Sequence, residues 1–328
     1  MIREVAQPRL RDLFDFHQTS SELFKDIQLT GSGKGALAII LQYLYHKKNI
    51  KNKLDEIIVP DWLGYWVYNQ IQSFAFPAKR YSERSKAIMV YHQYGFPQDM
   101  DKILDFARDK KLIIIEDCAH AIDSSYKGKP LGTFGDFTVY SFSKWFFCFA
   151  LGGVKSKYDD FPDFARQAIS QTPFGAIFFK DLIKLIHEQT GFSDSLLNMS
   201  YSLYGQALKP SRQAKKLALA KIESEIKIRQ KRYQYFRQQT DNLGICQHLE
   251  QDGVTPYVIP IYCPSDKNDY LLKVLADRKI ITGLYNFDFN RNLLEPDFKK
   301  CIWIPVHSGI SDETFSDMTN LVVRTITK

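Results

Sequence analysis

Two short runs carry most of the chemistry in this chain: Glu116-Asp117-Cys118-Ala119-His120, and Ser141-Phe142-Ser143-Lys144. Leu112 to Ile115 is uniformly apolar and reads as a fully buried strand whose apolar character stops at Glu116-Asp117. A carboxylate at the C-terminal end of such a strand sits where open α/β sheets place their ligands. Phe137 to Tyr140 reads as a second short strand, which delivers Ser141 and Lys144 to the same sheet edge. An acid, a hydroxyl and a lysine converging there suit pyridoxal phosphate (PLP). The acid keeps the pyridine nitrogen protonated, the hydroxyl helps hold the phosphate, and the lysine forms a Schiff base. The same residue types also read as a helix cap beside a solvated lysine, and spacing alone leaves both readings open.

The elements that must position these groups alternate in type up to about residue 155. Ala36 to Tyr45 reads as a buried helix, Glu56 to Val59 as a strand ending at Pro60, and Ala87 to Tyr91 as another strand. Met100 to Lys110 has the spacing of a helix face that leads into the strand at 112. This order predicts an α/β fold, a mostly parallel central sheet flanked by helices. Further on, Phe174 to Phe179 and Leu182 to Ile186 form an aromatic, amphipathic stretch. Its lysines are too few for a membrane-surface face, so it reads as a buried helix or a dimer contact. Lys215 to Gln239 is a long charged helix. Thr255 to Tyr262, Asn268 to Arg278 and Ile280 to Leu284 then give the β-α-β pattern of a smaller C-terminal α+β domain. The expected organisation is a large ligand-binding domain over 1–212, followed by a connecting helix and small domain over 213–328.

At 328 residues and 45% hydrophobic, the chain can bury a substantial core. No stretch is apolar enough to span a membrane. The N-terminal run Met1-Ile2-Arg3-Glu4-Val5 continuing to Asp12 lacks the apolar middle of a secretory signal. Five cysteines, at 118, 148, 246, 263 and 301, form no C-x-x-C pair. They fit reduced thiols in a cytoplasmic protein better than a disulfide framework or a metal site. The 44 basic against 37 acidic residues give a net +7, an ordinary basic surface, and no nucleic-acid-binding motif is found.

Thr30-Gly31-Ser32-Gly33-Lys34-Gly35-Ala36-Leu37 invites comparison with the P-loop G-x-x-x-x-G-K-[ST]. The first glycine of that motif would fall on Gln28 and its hydroxyl on Gly35, so a nucleoside triphosphatase is rejected. The physics of the loop remains: small residues before a helix let backbone N–H groups approach an anion.

From Glu116 to Gly153, the succession E-D-C-A-H-A, Y-K-G-K-P-L-G-T-F-G-D-F, S-F-S-K and L-G-G resembles the DegT/DnrJ/EryC1/StrS family. Its members are fold-type-I, PLP-dependent aminotransferases that mostly act on nucleotide-linked keto-sugars. The resemblance implies that Lys144 forms the Schiff base and that Asp117 pairs with the pyridinium nitrogen. By the same resemblance His120, where glutamine is usual, meets the cofactor ring or its 3′ oxygen. Ser141, or Ser143 in this shortened spacing, would meet the phosphate together with Ser32, Gly33 and Lys34, where Lys34 replaces a hydroxyl residue. Trp62, with Tyr65 and Trp66 as alternatives, stands where an aromatic stacks on the pyridine. His92 in Tyr91-His92…Gly95, Asn286 and Arg291 in Tyr285 to Arg291, and His307 after Pro305 are the implied substrate-side residues.

The sugar enzymes' histidine-tyrosine-proline signature is absent, and Asn198-Met199-Ser200 is a degraded counterpart of the segment that reaches across the dimer. The expected activity is transfer of an amino group from an amino-acid donor such as glutamate to a keto-sugar, in a homodimer. A PLP-dependent sugar dehydratase and a non-catalytic ligand-binding member are the alternatives. Lys144 argues against the dehydratase, whose branch carries histidine there.

Overall fold

The computed structural model describes residues 1–6, 21–190, 194–249 and 252–327. Residues 7–12 of the N-terminal run lie outside them. The chain runs through β1 (Gln28–Thr30), α1 (Gly33–His46), β2 (Glu56–Ile58), α2 (Tyr65–Gln72), β3 (Phe76–Ala78), β4 (Ser85–Tyr91) and α3 (Met100–Lys110). It continues with β5 (Ile113–Asp117), a two-residue hairpin pair β6 (Ser125–Tyr126) and β7 (Lys129–Pro130), β8 (Phe137–Ser141) and β9 (Gly152–Ser156). Helices α4 (Phe161–Ser170), α5 (Phe174–Thr190), α6 (Asp194–Leu203) and α7 (Arg212–Thr240) follow. The C-terminal part holds β10 (Val258–Ile261), α8 (Ser265–Asp277), β11 (Leu284–Asp288), β12 (Phe298–Pro305) and α9 (Asp312–Thr327).

The main sheet has the order β1-β9-β8-β5-β4-β2-β3, parallel throughout β8-β5-β4-β2-β3 and antiparallel where β9 meets β8 and β1. Strand alternation sends successive side chains to opposite faces. Ala87, Met89, Ile115, Phe137 and Val139 pack under α1, whose Ala36 to Leu41 run is wholly buried. Ile88, Val90 and Ile114 pack on the other face with Met100 and Ile103 of α3 and Leu217 and Ile222 of α7. The result is three layers with the parallel strands buried on both sides, which is why those strands read as continuous apolar runs.

Helix α7 leaves this core and enters the small one, where Tyr233 and Phe236 pack with Leu271, Leu275, Phe315 and Met318. The small sheet is antiparallel, in the order β10-β12-β11. Its strand expected over Ile280 to Leu284 instead begins at Leu284 and runs to Asp288. The residues before it are taken by the N-terminus: Ile2 N–H donates to Lys279 O, and Ile281 N–H to Ile2 O. Of the two readings of the aromatic stretch, the buried helix does not hold. Helix α5 buries Lys180 and Ile183 but leaves Phe174, Phe178 and Phe179 exposed, so it is not a buried helix. Among the described residues no helix is long and apolar enough to cross a membrane. All five cysteines are free and buried.

Candidate active site

Asp117 ends β5, Ser141 ends β8, and α1 starts above them. Met89, Asp117, Val139 and Ser141 share the α1 face of the sheet and form the floor of a cavity of about 330 Å³. Ser32 caps α1: its Oγ accepts from Gly35 N–H at 2.9 Å and donates to Tyr204 O at 3.2 Å. The first amides of a helix have no intrahelical acceptor, so Gly33 and Lys34 offer theirs at the positive end of the dipole. A Cβ at Gly33 would lie 2.8 Å from Ser141 Cβ and 3.1 Å from its Oγ. The glycine therefore keeps open a cradle that the Ser141 hydroxyl borders. Ser143 stands elsewhere, on the junction between this cavity and a neighbouring one.

The Asp117 carboxylate is buried, and among the described residues its only hydrogen bond comes from Ala119 N–H, 2.9 Å from Oδ1. Burial pushes its carboxyl above the ordinary value, and the opposing pulls of Lys144 and the Ala119 amide do not offset this. A carboxylate left with an unused oxygen on a cavity wall suits a cationic N–H donor. The Glu116 carboxylate beside it points to the other face and is saturated. It accepts from Gly132, Phe134 and Gly135 N–H at 2.8, 2.7 and 2.5 Å, and meets His92 Nε2 at 3.3 Å. Burial raises its carboxyl, but the His92 imidazole and the loop amides outweigh that and hold it below the ordinary value. His92, Glu116 and Cys118 cluster closely enough to suggest a metal site. The amides already occupying Glu116 make it instead the anchor of the loop at 132–135 that follows the β6–β7 hairpin.

Lys144 lies at the junction of the 330 Å³ cavity with a larger one of about 670 Å³. Lys144 is exposed where it lines both cavities, yet desolvation by the surrounding protein lowers its ammonium below the ordinary value, against the pull of Asp117 and Glu4. His120 Nε2 is 2.9 Å from its Nζ, and Tyr91 Oη is 2.5 Å from His120 Nδ1. Burial, reinforced by Lys144 and Arg229, drives the His120 imidazolium well below its ordinary range, so the ring is neutral.

The remaining expected residues divide. Lys34 lies on the 330 Å³ cavity, its ammonium 5.0 Å from the Trp66 ring centroid and 3.2 Å from Tyr201 O. Tyr65 and Trp66 line that cavity, whereas Trp62 is exposed on an adjoining cleft, edge-on to Phe298. Asn286 borders the same cleft, and its carbonyl accepts from Gln93 Nε2 at 2.7 Å. His92, Arg291 and His307 line neither cavity. His92 is fully buried against Glu116, with its Nδ1 accepting from Gln98 N–H at 3.2 Å. Arg291 donates to His248 O. His307 donates from Nε2 to Arg3 O at 2.9 Å and accepts from Gly309 N–H at 3.1 Å. These three brace loops.

Tyr91, Lys184, Tyr201 and Tyr257 line the site without having been singled out in the sequence. Strand parity was the available signal for Tyr91. It pairs with Asp117 across β4 and β5, so it shares the aspartate's face, while His92 follows Glu116 to the other.

Comparison with known proteins places the chain in a family. The GDP-perosamine synthase of Escherichia coli O157:H7 is 48% identical over 64 residues, 20% of this chain and 18% of that protein. A dTDP-4-dehydro-2,6-dideoxy-D-glucose 3-dehydratase of Saccharopolyspora spinosa is 43% identical over 61 residues, 19% of this chain and 13% of its own length. The chain thus aligns with less than a fifth of either relative. The aminotransferase TlmJ from Streptoalloteichus hindustanus has the same fold: TM-score 0.68, 16% identity, covering 100% of this chain and 99% of that one. The model of the DegT/DnrJ/EryC1/StrS aminotransferase family matches residues 78–323, and the chain belongs to that PLP-dependent family.

Proposed function

We propose that this protein is a PLP-dependent aminotransferase that moves an amino group from an amino-acid donor, glutamate, to a keto-sugar carried on a nucleotide. The observation that carries the reading is one cavity lined by Asp117, the Gly33–Ser141 cradle and Lys144. These residues fit PLP: Asp117 for the ring N–H, the Gly33 and Lys34 amides with the Ser141 hydroxyl for the phosphate, Lys144 for attachment, and Trp66 or Tyr65 for the ring face. Bound there, the cofactor supplies an electron sink that weakens bonds to the substrate's amine-bearing carbon.

The chain's own residues do the rest. Asp117 holds a proton on the ring nitrogen, a role its depleted hydrogen bonding suits. Lys144 moves a proton at the substrate carbon once its amine is free. The 670 Å³ cavity, walled by Tyr94, Tyr257, Tyr285 and Trp303, receives donor and acceptor in turn. The nucleotide-sugar assignment is supported by the perosamine synthase relative, and a homodimer by family resemblance.

The dehydratase relative gives a second reading, against which Lys144 stands. Purified protein incubated with PLP is expected to absorb in the visible and to be fixed by borohydride on Lys144. Glutamate is then expected to convert the bound cofactor to its pyridoxamine form. No uptake of PLP sinks both enzyme readings; uptake without conversion by any amino donor sinks the aminotransferase.

A further inference from the structure

Tyr91 Oη, the His120 ring and Lys144 Nζ stand in file, with contacts of 2.5 and 2.9 Å. The file runs from the cleft beside Trp62 to the junction of the two cavities. The imidazole is clamped in plane: Tyr257 stacks on it at 4.1 Å and 5°, and Tyr94 at 5.8 Å and 19°. A neutral imidazole has one N–H and one lone pair, and which nitrogen carries the proton depends on the partners. An imidazole nitrogen is a far stronger base than a phenol oxygen, so in a phenol–imidazole contact the O–H donates. Burial makes the Tyr91 phenol still more reluctant to ionise. Nδ1 is therefore the acceptor, which leaves the ring proton on Nε2, facing Lys144.

We propose that Tyr91 is a positioning residue for Lys144: it fixes His120 as the Nε2–H tautomer, whose N–H donates to the lysine nitrogen and holds it as a free amine. An ammonium has no lone pair with which to accept that N–H. Other groups facing Lys144 and His120 pull both ways. Asp117 on β5 and Glu4 in the N-terminal segment favour the ammonium. Arg229 on α7 disfavours added charge at His120, and Arg3, Lys184 and His187 line the same cavity. The Tyr91–His120 pair tips that balance. This rests on Lys144 being the cofactor lysine, because a free amine is what attack on the cofactor carbonyl requires.

Two measurements on the full chain test it, and both are read without cofactor, so PLP uptake, which tests the function, is scored separately. In [15N]histidine-labelled wild type, with His120 identified by its absence from the His120→Gln spectrum, the expected signature is protonated Nε2 and unprotonated Nδ1. The opposite tautomer overturns the proposal, and this result needs no Tyr91 variant to fold. Second, acetic anhydride labelling of Lys144, followed across pH by mass spectrometry, is expected to shift its midpoint upward by about one pH unit in Tyr91→Phe. In the His120→Gln background the same substitution is expected to produce no shift. An unchanged or lower midpoint in Tyr91→Phe overturns the proposal, as does an equal shift in the His120→Gln background.

Discussion

Asp117, Val139 and Tyr91 are register neighbours across three parallel strands, and their shared face decides which side chains meet a ligand. The strand end was legible for Asp117 and Ser141, because the apolar run Leu112 to Ile115 stops at Glu116-Asp117 and Ser141 follows the short strand Phe137 to Tyr140. The face was not legible for the choice between His92 and Tyr91, since one residue of register separates a cavity wall from the core. At the phosphate end the glycine is decisive. In Gly33→Ala the new Cβ meets Ser141 Cβ at 2.8 Å, and neither atom is the end of a flexible chain. Spectral titration is expected to show PLP affinity weakened by at least about tenfold, with only a small change in melting temperature; unchanged affinity would remove Gly33 from the cradle. His307 makes a different prediction, one of stability. Burial lowers its pKa from 6.5 to about 4, so between these values the unfolded chain binds the extra proton. Stability therefore rises with pH across that window and is lost as pH falls through it, by up to about 3 kcal/mol. Urea unfolding at pH 7 and pH 5 is expected to show about 2 kcal/mol of this loss from His307 in wild type and a flatter profile in His307→Asn.

At the level of elements, helix α7 ties the site to the small domain through one buried side chain. Arg229 is fully buried, pairs with Glu225 Oε1 at 2.6 Å, and donates to Trp145 O at 2.9 Å and to the carbonyl of Tyr257. Its guanidinium also lies 4.7 Å from the Trp145 ring centroid. Trp145 follows Lys144, and Tyr257 stacks on His120, so the arginine braces both ends of the lysine's surroundings. Arg229→Met leaves the buried Glu225 without its cationic partner and is expected to cost about 3–5 kcal/mol in urea unfolding. Adding Glu225→Leu is expected to restore part of that, because an apolar pair carries no desolvation penalty. If the single variant unfolds like wild type, the brace is not a determinant of stability. The long charged run at 215–239 signalled α7 plainly, but not this arginine's role, because its partners other than Glu225 are residues 145, 256 and 257. The sheet's parallel centre was legible from its apolar runs. The short strands β1, β3 and β9 were not, because three to five residues leave little periodicity. The start of β11 was hidden because pairing with Ile2 draws on a residue nearly the whole chain away.

Over the whole molecule, an excess of seven positive charges is small, and its placement decides what it does. Arg3 and Lys184 line the 670 Å³ cavity, with Glu4 among them, and Lys34 lies on the adjoining one with Lys184. A concave site of mostly one sign, with low-dielectric walls, raises the local concentration of an anionic ligand and loses that advantage as salt screens it over about 10 Å at 0.1 M. A nucleotide-linked acceptor carries two phosphate charges, whereas the sugar alone carries none. Once amino transfer is established, KM for an anionic keto-sugar acceptor is therefore expected to rise severalfold between low and about 0.3 M salt, with kcat little changed. KM for an uncharged keto-sugar analogue is expected to stay flat over the same range. Replacing Lys184 by glutamine keeps a polar side chain, somewhat shorter, but removes one charge from the junction, so it is expected to reduce the salt slope for the anionic acceptor alone. A KM that ignores salt for the anionic acceptor, or follows it equally for the neutral one, would mean that the cavity's cations serve packing and cofactor retention. The assignment of an anionic acceptor would then lose its electrostatic support.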